Sequence, residues 1–193
     1  MNRIPQLDPA HATGKTKQLF DGAQAKLGFV PNILRVFGNS PAALEGYLNF
    51  SGALAGGVLN AKVREQIALA VAEINDCGYC RSAHTFIGGK VGLNDREIAD
   101  ARKVVATDER TAAILSLARN LVVLRGELSD AEFQAARSAK LTDAEIVETI
   151  ANVALNILTN YLNHVARTVV DFPEVKAVEP AAEACATGCG CGH

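Results

Sequence analysis

A short pattern that is typical of helix starts occurs three times between residues 93 and 146. It reads LNDREI from Leu93, LSDAEF from Leu128 and LTDAEI from Leu141. In each copy an Asn, Ser or Thr can cap the first turn of a helix, and a Glu three residues later can bond back to the cap. Apolar residues on both sides can pack across the helix start. The pattern predicts three helix starts.

The rest of the chain also has the spacing of helices. The segment PNILRVFGNSPAALEGYLNFSGALAGG predicts two helices that end in glycines, and residues 60–75 place apolar side chains on one stripe with Asn60 as the N-cap. A long helix is predicted from about Asp143 to Val170. It is apolar over more than one face, so we expect it to be buried in a bundle or shared with another subunit. Aromatic residues make up only 5% of the chain and alternating β-branched runs are few, so the predicted class is all-α.

Composition narrows the function classes. The 193 residues carry a formal charge of -2, with acidic and basic residues interspersed, so we expect no nucleic-acid partner. The N-terminus has no apolar signal region, and no stretch approaches the roughly 18 apolar residues of a membrane span. The sequence therefore predicts a single soluble domain in the cytoplasm, with no membrane partner.

The five cysteines are odd in number and clustered, at Cys77, Cys80, Cys185, Cys189 and Cys191. That arrangement is more typical of reactive or metal-binding thiols in a reducing compartment than of a structural disulfide framework.

The stretch EQIALAVAEINDCGYCRSAH, residues 65–84, concentrates the chemistry. If Asp76 caps a new helix, Cys77 lies in its first turn and Cys80 lies one turn later on the same face. Two such thiols can close into a disulfide. The amides of a helix N-terminus also favour the thiolate, and can lower a cysteine's pKa from its ordinary value of about 8.5.

Two further side chains can move protons at this dithiol. His84 follows Cys80 by four residues, so its imidazole can approach the Cys80 sulfur and take its proton. Glu65 is on the preceding helix and can orient His84 if the two helices fold back on each other.

Other interpretations of the same residues remain open. A CxxC pair is often half of a zinc site, which His84 or the C-terminal residues could complete. A dithiol oxidoreductase without peroxidase activity would use Cys77, the thiol at the helix start, as its nucleophile. In a non-redox interaction protein, His84 would be a packing residue and Glu65 a surface charge.

The Glu65, Cys77, Cys80 and His84 spacing resembles the active-site pattern of the alkylhydroperoxidase D-like members of the carboxymuconolactone decarboxylase family. The similarity extends from LRVFGNSPAALEGYLNFSGAL through REQIALAVAEINDCGYCRSAHT to NILTNYLNHVARTVVDFP. The resemblance implies an alkylhydroperoxidase D-like helical bundle that assembles as a homo-oligomer, a trimer or a multiple of it. It also implies a peroxidase that reduces hydroperoxides with its CxxC dithiol. Lactone decarboxylases of the family lack the cysteine pair, so the dithiol argues against decarboxylation.

The same resemblance implies a role for each site residue. Cys80 corresponds to the cysteine that attacks the peroxide, Cys77 to the resolving cysteine, and Glu65 with His84 to the proton relay. The chain departs from the pattern at Tyr79, where some members have a histidine. A phenol is a poor base near neutral pH.

The implied cycle needs a dithiol reductant, such as a lipoyl domain or a thioredoxin-like protein. No cofactor is required, since the chain lacks the glycine-rich fingerprint of dinucleotide binding.

Polar residues interrupt the predicted long helix at Asn160, Asn163 and His164. We expect the asparagines to satisfy one another or the nearby backbone. His164 would otherwise line the substrate pocket or a subunit contact, while Tyr47 and Tyr161 are predicted to be packing residues.

From Pro173 the chain becomes rich in Ala, Glu, Gly and Cys and has no periodic apolar pattern. We assign residues 1–172 to the helical domain and residues 173–193 to a flexible tail. The tail ends in CATGCGCGH, and its soft donors could hold zinc or copper(I). Those donors are Cys185, Cys189, Cys191 and His193. Incidental cysteines in a disordered tail, and thiol exchange with the CxxC pair, are the alternatives.

Overall fold

A computed structural model describes residues 2–178 of the chain, and every regular element in that range is a helix. In chain order the helices are α1 (Gly14–Leu27), α2 (Asn32–Phe37), α3 (Pro41–Ala55), α4 (Ala61–Ile74), α5 (Gly78–Lys90), α6 (Asp95–Arg102), α7 (Glu109–Val123), α8 (Asp130–Ser138) and α9 (Asp143–Ala166). The all-α prediction is confirmed. None of these helices combines the length and the apolarity that crossing a membrane requires.

The three predicted helix starts are the N-termini of α6, α8 and α9. In each, the cap side chain accepts a hydrogen bond from the backbone N–H of the Glu, and the Glu carboxylate accepts one from the backbone N–H of the cap. The pairs are Asn94 with Glu97, Ser129 with Glu132, and Thr142 with Glu145. Asn60 caps α4 as predicted, and α2 and α3 end at Gly38 and Gly56.

Helix α4 lies at the centre of the protein and packs against α5, α6, α7 and α9. Its residues 66–72 are all buried, so neighbours enclose this helix on every side. Glu65 immediately precedes that buried run. The packing of α4 therefore holds the Glu65 side chain at the edge of the core.

Two apolar clusters form the interior. One joins α4 to α6, α7, α8 and α9 around residues such as Ile67 and Leu115. The other joins α1, α2, α3 and α5 around Phe20, and it includes both Cys77 and Cys80. The cysteine pair is thus part of a packed core.

Helix α9 is shorter than predicted, and the described residues leave much of its apolar surface uncovered. It ends at Ala166, four residues before the predicted end, because Arg167 takes a left-handed conformation with φ of 52°. Its inward face is rich in Asn and Thr, while much of its apolar surface faces outward. The exposed apolar residues of α9 are Val147, Ile150, Leu158, Tyr161 and Val165.

The chain after α9 returns across the helical body. The backbone N–H of Val175 donates to Ser82 Oγ at 3.0 Å, and the N–H of Val178 donates to Glu73 Oε1 at 2.6 Å. Residues 173–178, which we assigned to the flexible tail, therefore lie against α4 and α5. The rest of the predicted tail lies outside the described residues.

Candidate active site

The turn between α4 and α5 positions the cysteine pair. We expected Asp76 to cap α5, but the cap is Cys77, whose Sγ accepts a hydrogen bond from the Cys80 N–H at 3.3 Å. Asp76 instead has a positive φ of 51°, and the Cys77 N–H donates to the Ala72 carbonyl at 2.8 Å. Asp76 cannot cap α5 because its left-handed backbone closes the end of α4, whereas a capping residue is extended.

A disulfide joins Cys77 and Cys80, with their Cα atoms 5.3 Å apart. Both residues are buried. One helical turn separates them, which is close enough for the sulfurs to bond without unwinding α5. The structure therefore represents the oxidised form of the dithiol.

Glu65 and His84 meet across the α4 and α5 hairpin. The Glu65 Oε2 and His84 Nδ1 atoms are 2.8 Å apart, and the two side chains are 18% and 21% exposed. The carboxylate fixes the ring by accepting a hydrogen bond from Nδ1–H, which leaves Nε2 to exchange a proton with another group. The structure thus brings together the two residues predicted for a relay.

A cavity of about 500 Å³ joins this pair to one of the two cysteines. Cys80, Glu65 and His84 all line it, whereas Cys77 does not. Its volume is in the range typical of small-molecule sites. Much of the remaining wall is apolar and comes from α1, α3 and α5, with residues such as Leu19, Leu48 and Ile87.

Helix α9 supplies a polar wall to the same cavity. Asn163 lines it, and its Nδ2 donates to Cys80 Sγ at 3.3 Å. Asn160 instead accepts a hydrogen bond at Oδ1 from Asn75 Nδ2 at 2.9 Å. His164 lies outside the cavity lining, with Nε2 at 2.9 Å from the Asn75 carbonyl. We expected the two asparagines to satisfy each other or the nearby backbone, and neither does: Asn160 bonds to the Asn75 side chain and Asn163 to the Cys80 sulfur.

Neither of the two tyrosines in the cavity wall is a base near neutral pH. Burial, with a smaller contribution from the charge of Glu65, raises the pKa of Tyr47 to about 12. Burial also raises the pKa of Tyr79 well above its ordinary value, and the Tyr79 hydroxyl accepts a hydrogen bond from the Ile33 N–H at 3.2 Å. Tyr47 stacks on Phe37 at 4.9 Å between ring centroids, as expected for a packing residue.

The predicted metal donors of the tail lie outside the described residues. These are Cys185, Cys189, Cys191 and His193. Within residues 2–178, no three His, Cys, Asp or Glu side chains are grouped so that they could hold a metal ion.

The sequence prediction did not identify Asn163 as a site residue. A signal for it was nevertheless present, because residues 152, 156, 159 and 163 are polar and recur at helical spacing. That spacing places a polar stripe on one face. The stripe alone does not tell whether it faces water, a partner or a cavity.

Comparison with known proteins supports the fold. Residues 41–123 match the model of the carboxymuconolactone decarboxylase family. This range contains all four predicted site residues. A comparison with curated protein sequences finds no match.

Several solved structures share the architecture. An uncharacterized peroxidase-related protein from Ralstonia eutropha JMP134, described as an alkylhydroperoxidase AhpD core, is 24% identical with a TM-score of 0.79, over 88% of this chain and 92% of that one. An uncharacterized peroxidase-related protein from Silicibacter sp. TM1040 is 24% identical with a TM-score of 0.76, over 86% and 89%.

A third solved structure is of a protein that is named for a different activity. It is a variant of the debrominase Bmp8 in complex with 2,3,4-tribromopyrrole, 18% identical with a TM-score of 0.76, over 89% of this chain and 92% of that one. At these identities the likeness concerns the fold, and proteins with different activities share it. The chain therefore has the fold of the alkylhydroperoxidase D-like helical proteins, and its residues 41–123 match the model of the carboxymuconolactone decarboxylase family.

Proposed function

We propose that the protein is a thiol-dependent peroxidase that reduces organic hydroperoxides through the Cys77 and Cys80 dithiol. One observation carries the proposal. Cys80, which is half of a buried redox pair, lines the same cavity as the hydrogen-bonded Glu65 and His84. A nucleophile, a base and a group that orients the base then line one cavity.

In the proposed cycle, His84 takes the proton of the reduced Cys80 thiol, and Glu65 stabilises the imidazolium. The Cys80 thiolate attacks the distal oxygen of the hydroperoxide, forming an S–O bond and breaking the O–O bond. The alkoxide leaves and takes the proton from His84, giving an alcohol and a sulfenic acid on Cys80. The Cys77 thiolate then attacks the Cys80 sulfur, which forms the disulfide and releases water once the departing hydroxide is protonated.

The position of the two cysteines favours Cys80 as the nucleophile. Cys77 caps α5 and does not line the cavity, so a substrate in the cavity meets Cys80. Exposure does not distinguish the two residues, since Cys77 and Cys80 are 1% and 2% exposed, whereas only Cys80 lines the cavity.

The cavity walls favour an organic substrate. A volume of about 500 Å³ is much larger than hydrogen peroxide needs, and residues such as Leu19 and Ile87 offer apolar surface to an alkyl or aryl group. We therefore expect an organic hydroperoxide to react faster than hydrogen peroxide.

Completion of the cycle requires a dithiol donor, and we propose a lipoyl or thioredoxin-like protein for this step. A reducing compartment such as the cytoplasm supplies such donors. The steps of the proposed cycle use only thiol, imidazole and carboxylate groups of this chain, so the proposal includes no cofactor.

The proposal is tested by adding cumene hydroperoxide to reduced, chelator-treated protein in which serines replace Cys185, Cys189 and Cys191. We expect rapid formation of the Cys77 to Cys80 disulfide, located by alkylation and peptide mass spectrometry, and a slower reaction with hydrogen peroxide. Cumyl alcohol, which lacks the O–O bond, is the matched control and leaves both thiols reduced.

Two results would overturn the proposal. In one, both thiols stay reduced for many minutes in cumene hydroperoxide. In the other, 2,3,4-tribromopyrrole oxidises the pair while hydroperoxides do not. That second result would point to the activity named for the debrominase that shares the fold.

We also propose that the protein assembles as a homo-oligomer, a trimer or a multiple of it, through the outward face of α9. Its residues Val147, Tyr161 and Val165 are 62%, 60% and 58% exposed. Full burial of such side chains contributes about 1.5–3 kcal/mol each, which an isolated chain does not gain.

The double substitution Tyr161→Glu and Val165→Glu is expected to reduce the molar mass in solution to that of one 20.3 kDa chain. Size-exclusion chromatography with light scattering measures this mass. Each new charge would have to be desolvated at the interface. Val105→Glu is the matched control, because Val105 is 49% exposed and lies on the loop before α7. A monomeric wild-type protein would contradict this assembly.

A further inference from the structure

Asn163 connects helix α9 to the reacting sulfur. Its Nδ2 lies 3.3 Å from Cys80 Sγ, and the residue is 5% exposed. The sulfur of a disulfide has no proton to donate, so the nitrogen end of the amide is the end that suits this contact. Once the disulfide is reduced, the same N–H faces a thiolate, and a donor binds a charged acceptor more strongly than a neutral one.

The other end of the Asn163 amide is unpaired. Its Oδ1 is buried and has no hydrogen-bond partner within residues 2–178. A buried carbonyl oxygen without a partner is costly and uncommon, and in a residue that lines a cavity it can be satisfied by a ligand that donates a hydrogen bond. This oxygen belongs to the same amide as the Nδ2 atom that contacts the Cys80 sulfur.

The neighbouring polar residues of α9 behave differently. Asn152 Nδ2 donates to the Glu148 carbonyl at 2.7 Å, and Asn156 Nδ2 donates to the Asn152 carbonyl at 2.8 Å. The Thr159 hydroxyl likewise donates to the Asn156 carbonyl at 2.9 Å. These side chains bond to the backbone of their own helix, whereas Asn163 reaches across to α5.

We propose that Asn163 is a catalytic residue whose Nδ2 donates to the Cys80 sulfur while its Oδ1 accepts the O–H of the bound hydroperoxide. This inference rests on the proposed peroxidase function and extends it. The two contacts place the distal peroxide oxygen, which carries that hydrogen, against the sulfur that attacks it.

The amide keeps both contacts through the chemical step. The Cys80 thiolate forms a bond to the distal oxygen, the O–O bond breaks, and the alkoxide takes a proton from His84. The hydrogen on the distal oxygen stays in place and becomes the sulfenic acid hydrogen, still donated to Asn163 Oδ1. Asn163 neither gains nor loses a proton, so atoms and charge balance without it.

The first test measures the thiolate and needs no peroxide. In Cys77→Ser protein, the rate at which iodoacetamide alkylates Cys80 is followed against pH by peptide mass spectrometry. We expect Asn163→Ala to move the midpoint upward by about one pH unit, since a lost hydrogen bond to the charged form disfavours it. Asn163→Asp, which keeps the shape but replaces the donor with an acceptor, should move the midpoint further upward.

Other groups around the sulfur also contribute to this titration and are unchanged in the comparison. The charged or titratable side chains that line the cavity with Cys80 are Lys26, Tyr47, Arg64, Glu65, Tyr79 and His84. The readout is therefore the difference between variants and not the midpoint itself. An unchanged midpoint in both Asn163→Ala and Asn163→Asp would overturn the donor contact.

The second test measures the contact between Asn163 Oδ1 and the hydroperoxide separately from the thiolate. Cumene hydroperoxide is reacted at a pH above both midpoints, where Cys80 is a thiolate in every variant. Asn163→Ala should still react at least about tenfold more slowly, the effect of losing one contact to the substrate. A rate within twofold of wild type under these conditions would overturn the acceptor contact.

Asn160→Ala is the matched control for lost packing, because Asn160 is also a buried amide on α9 but bonds to Asn75 outside the cavity. We expect this variant to leave the alkylation midpoint unchanged. Failure of this inference can be distinguished from failure of the proposed function. If the wild-type protein reacts with no hydroperoxide, the alkylation profiles of the Cys77→Ser variants still test the contact between Asn163 Nδ2 and Cys80.

Discussion

Cys80→Ser protein is expected to consume cumene hydroperoxide only at the uncatalysed rate. The hydroxyl that replaces the thiol stays protonated near neutral pH and is a far weaker nucleophile than a thiolate. Because Cys80 lines the cavity and Cys77 does not, no second thiol can take its place. The measurement is peroxide consumption in a single turnover, with the three tail cysteines replaced by serine.

Cys77→Ser is the matched control, and it should behave differently. Serine is a good helix cap, so α5 is expected to keep its start at position 77. The first turnover should proceed and leave a sulfenic acid on Cys80, detected as one added oxygen or by dimedone labelling, because no resolving thiol remains. If the sulfenic acid instead forms on Cys77 in Cys80→Ser protein, the assignment of the two cysteines is reversed.

Loss of the relay is the second large effect that we expect. Glu65→Gln and His84→Gln should each slow the formation of the Cys77 to Cys80 disulfide by about 10²–10⁴-fold, the range of general acid–base catalysis. His84→Gln removes the base. Glu65→Gln leaves the ring without the carboxylate that stabilises it as an imidazolium. Stopped-flow mixing of reduced protein with cumene hydroperoxide measures both rates.

The double variant gives a sharper result than either single one. If Glu65 acts only through His84, the combined loss should be close to the larger single loss instead of the product of the two. Glu73→Gln is the matched control, since Glu73 is also on α4 and pairs with Arg102 at 2.9 Å, away from the cavity. Equal losses in Glu73→Gln and Glu65→Gln would mean that a general destabilisation of α4, and not a relay, explains the effect.

Local patterns in the sequence predicted most of the helices. The capping boxes at the starts of α6, α8 and α9 are formed by residues three apart, so no distant contact is needed to form them. The start of α5 was predicted one residue too early. The left-handed backbone of Asp76 depends on how α4 ends, and Asp and Asn are tolerated both as caps and in that conformation.

Local sequence pattern could not predict which face of α9 points into the protein. Its many apolar residues favoured burial, yet Val147 and Tyr161 are exposed while Thr149 and Asn156 are buried. A helix with both a polar and an apolar face can pack either way. The choice depends on what the other helices leave open, which here is a cavity that accommodates polar side chains.

For the candidate site, the sequence by itself determined which chemical groups are present and how the nearby ones are spaced. Cys77 and Cys80 are one turn apart on one helix, so their spacing alone allows a disulfide. Tertiary structure decided the rest, because Glu65 meets His84 through the hairpin of α4 and α5 and Asn163 reaches Cys80 from 83 residues away. Contacts between distant segments follow from the packing of whole helices, and no local spacing in the sequence encodes that packing.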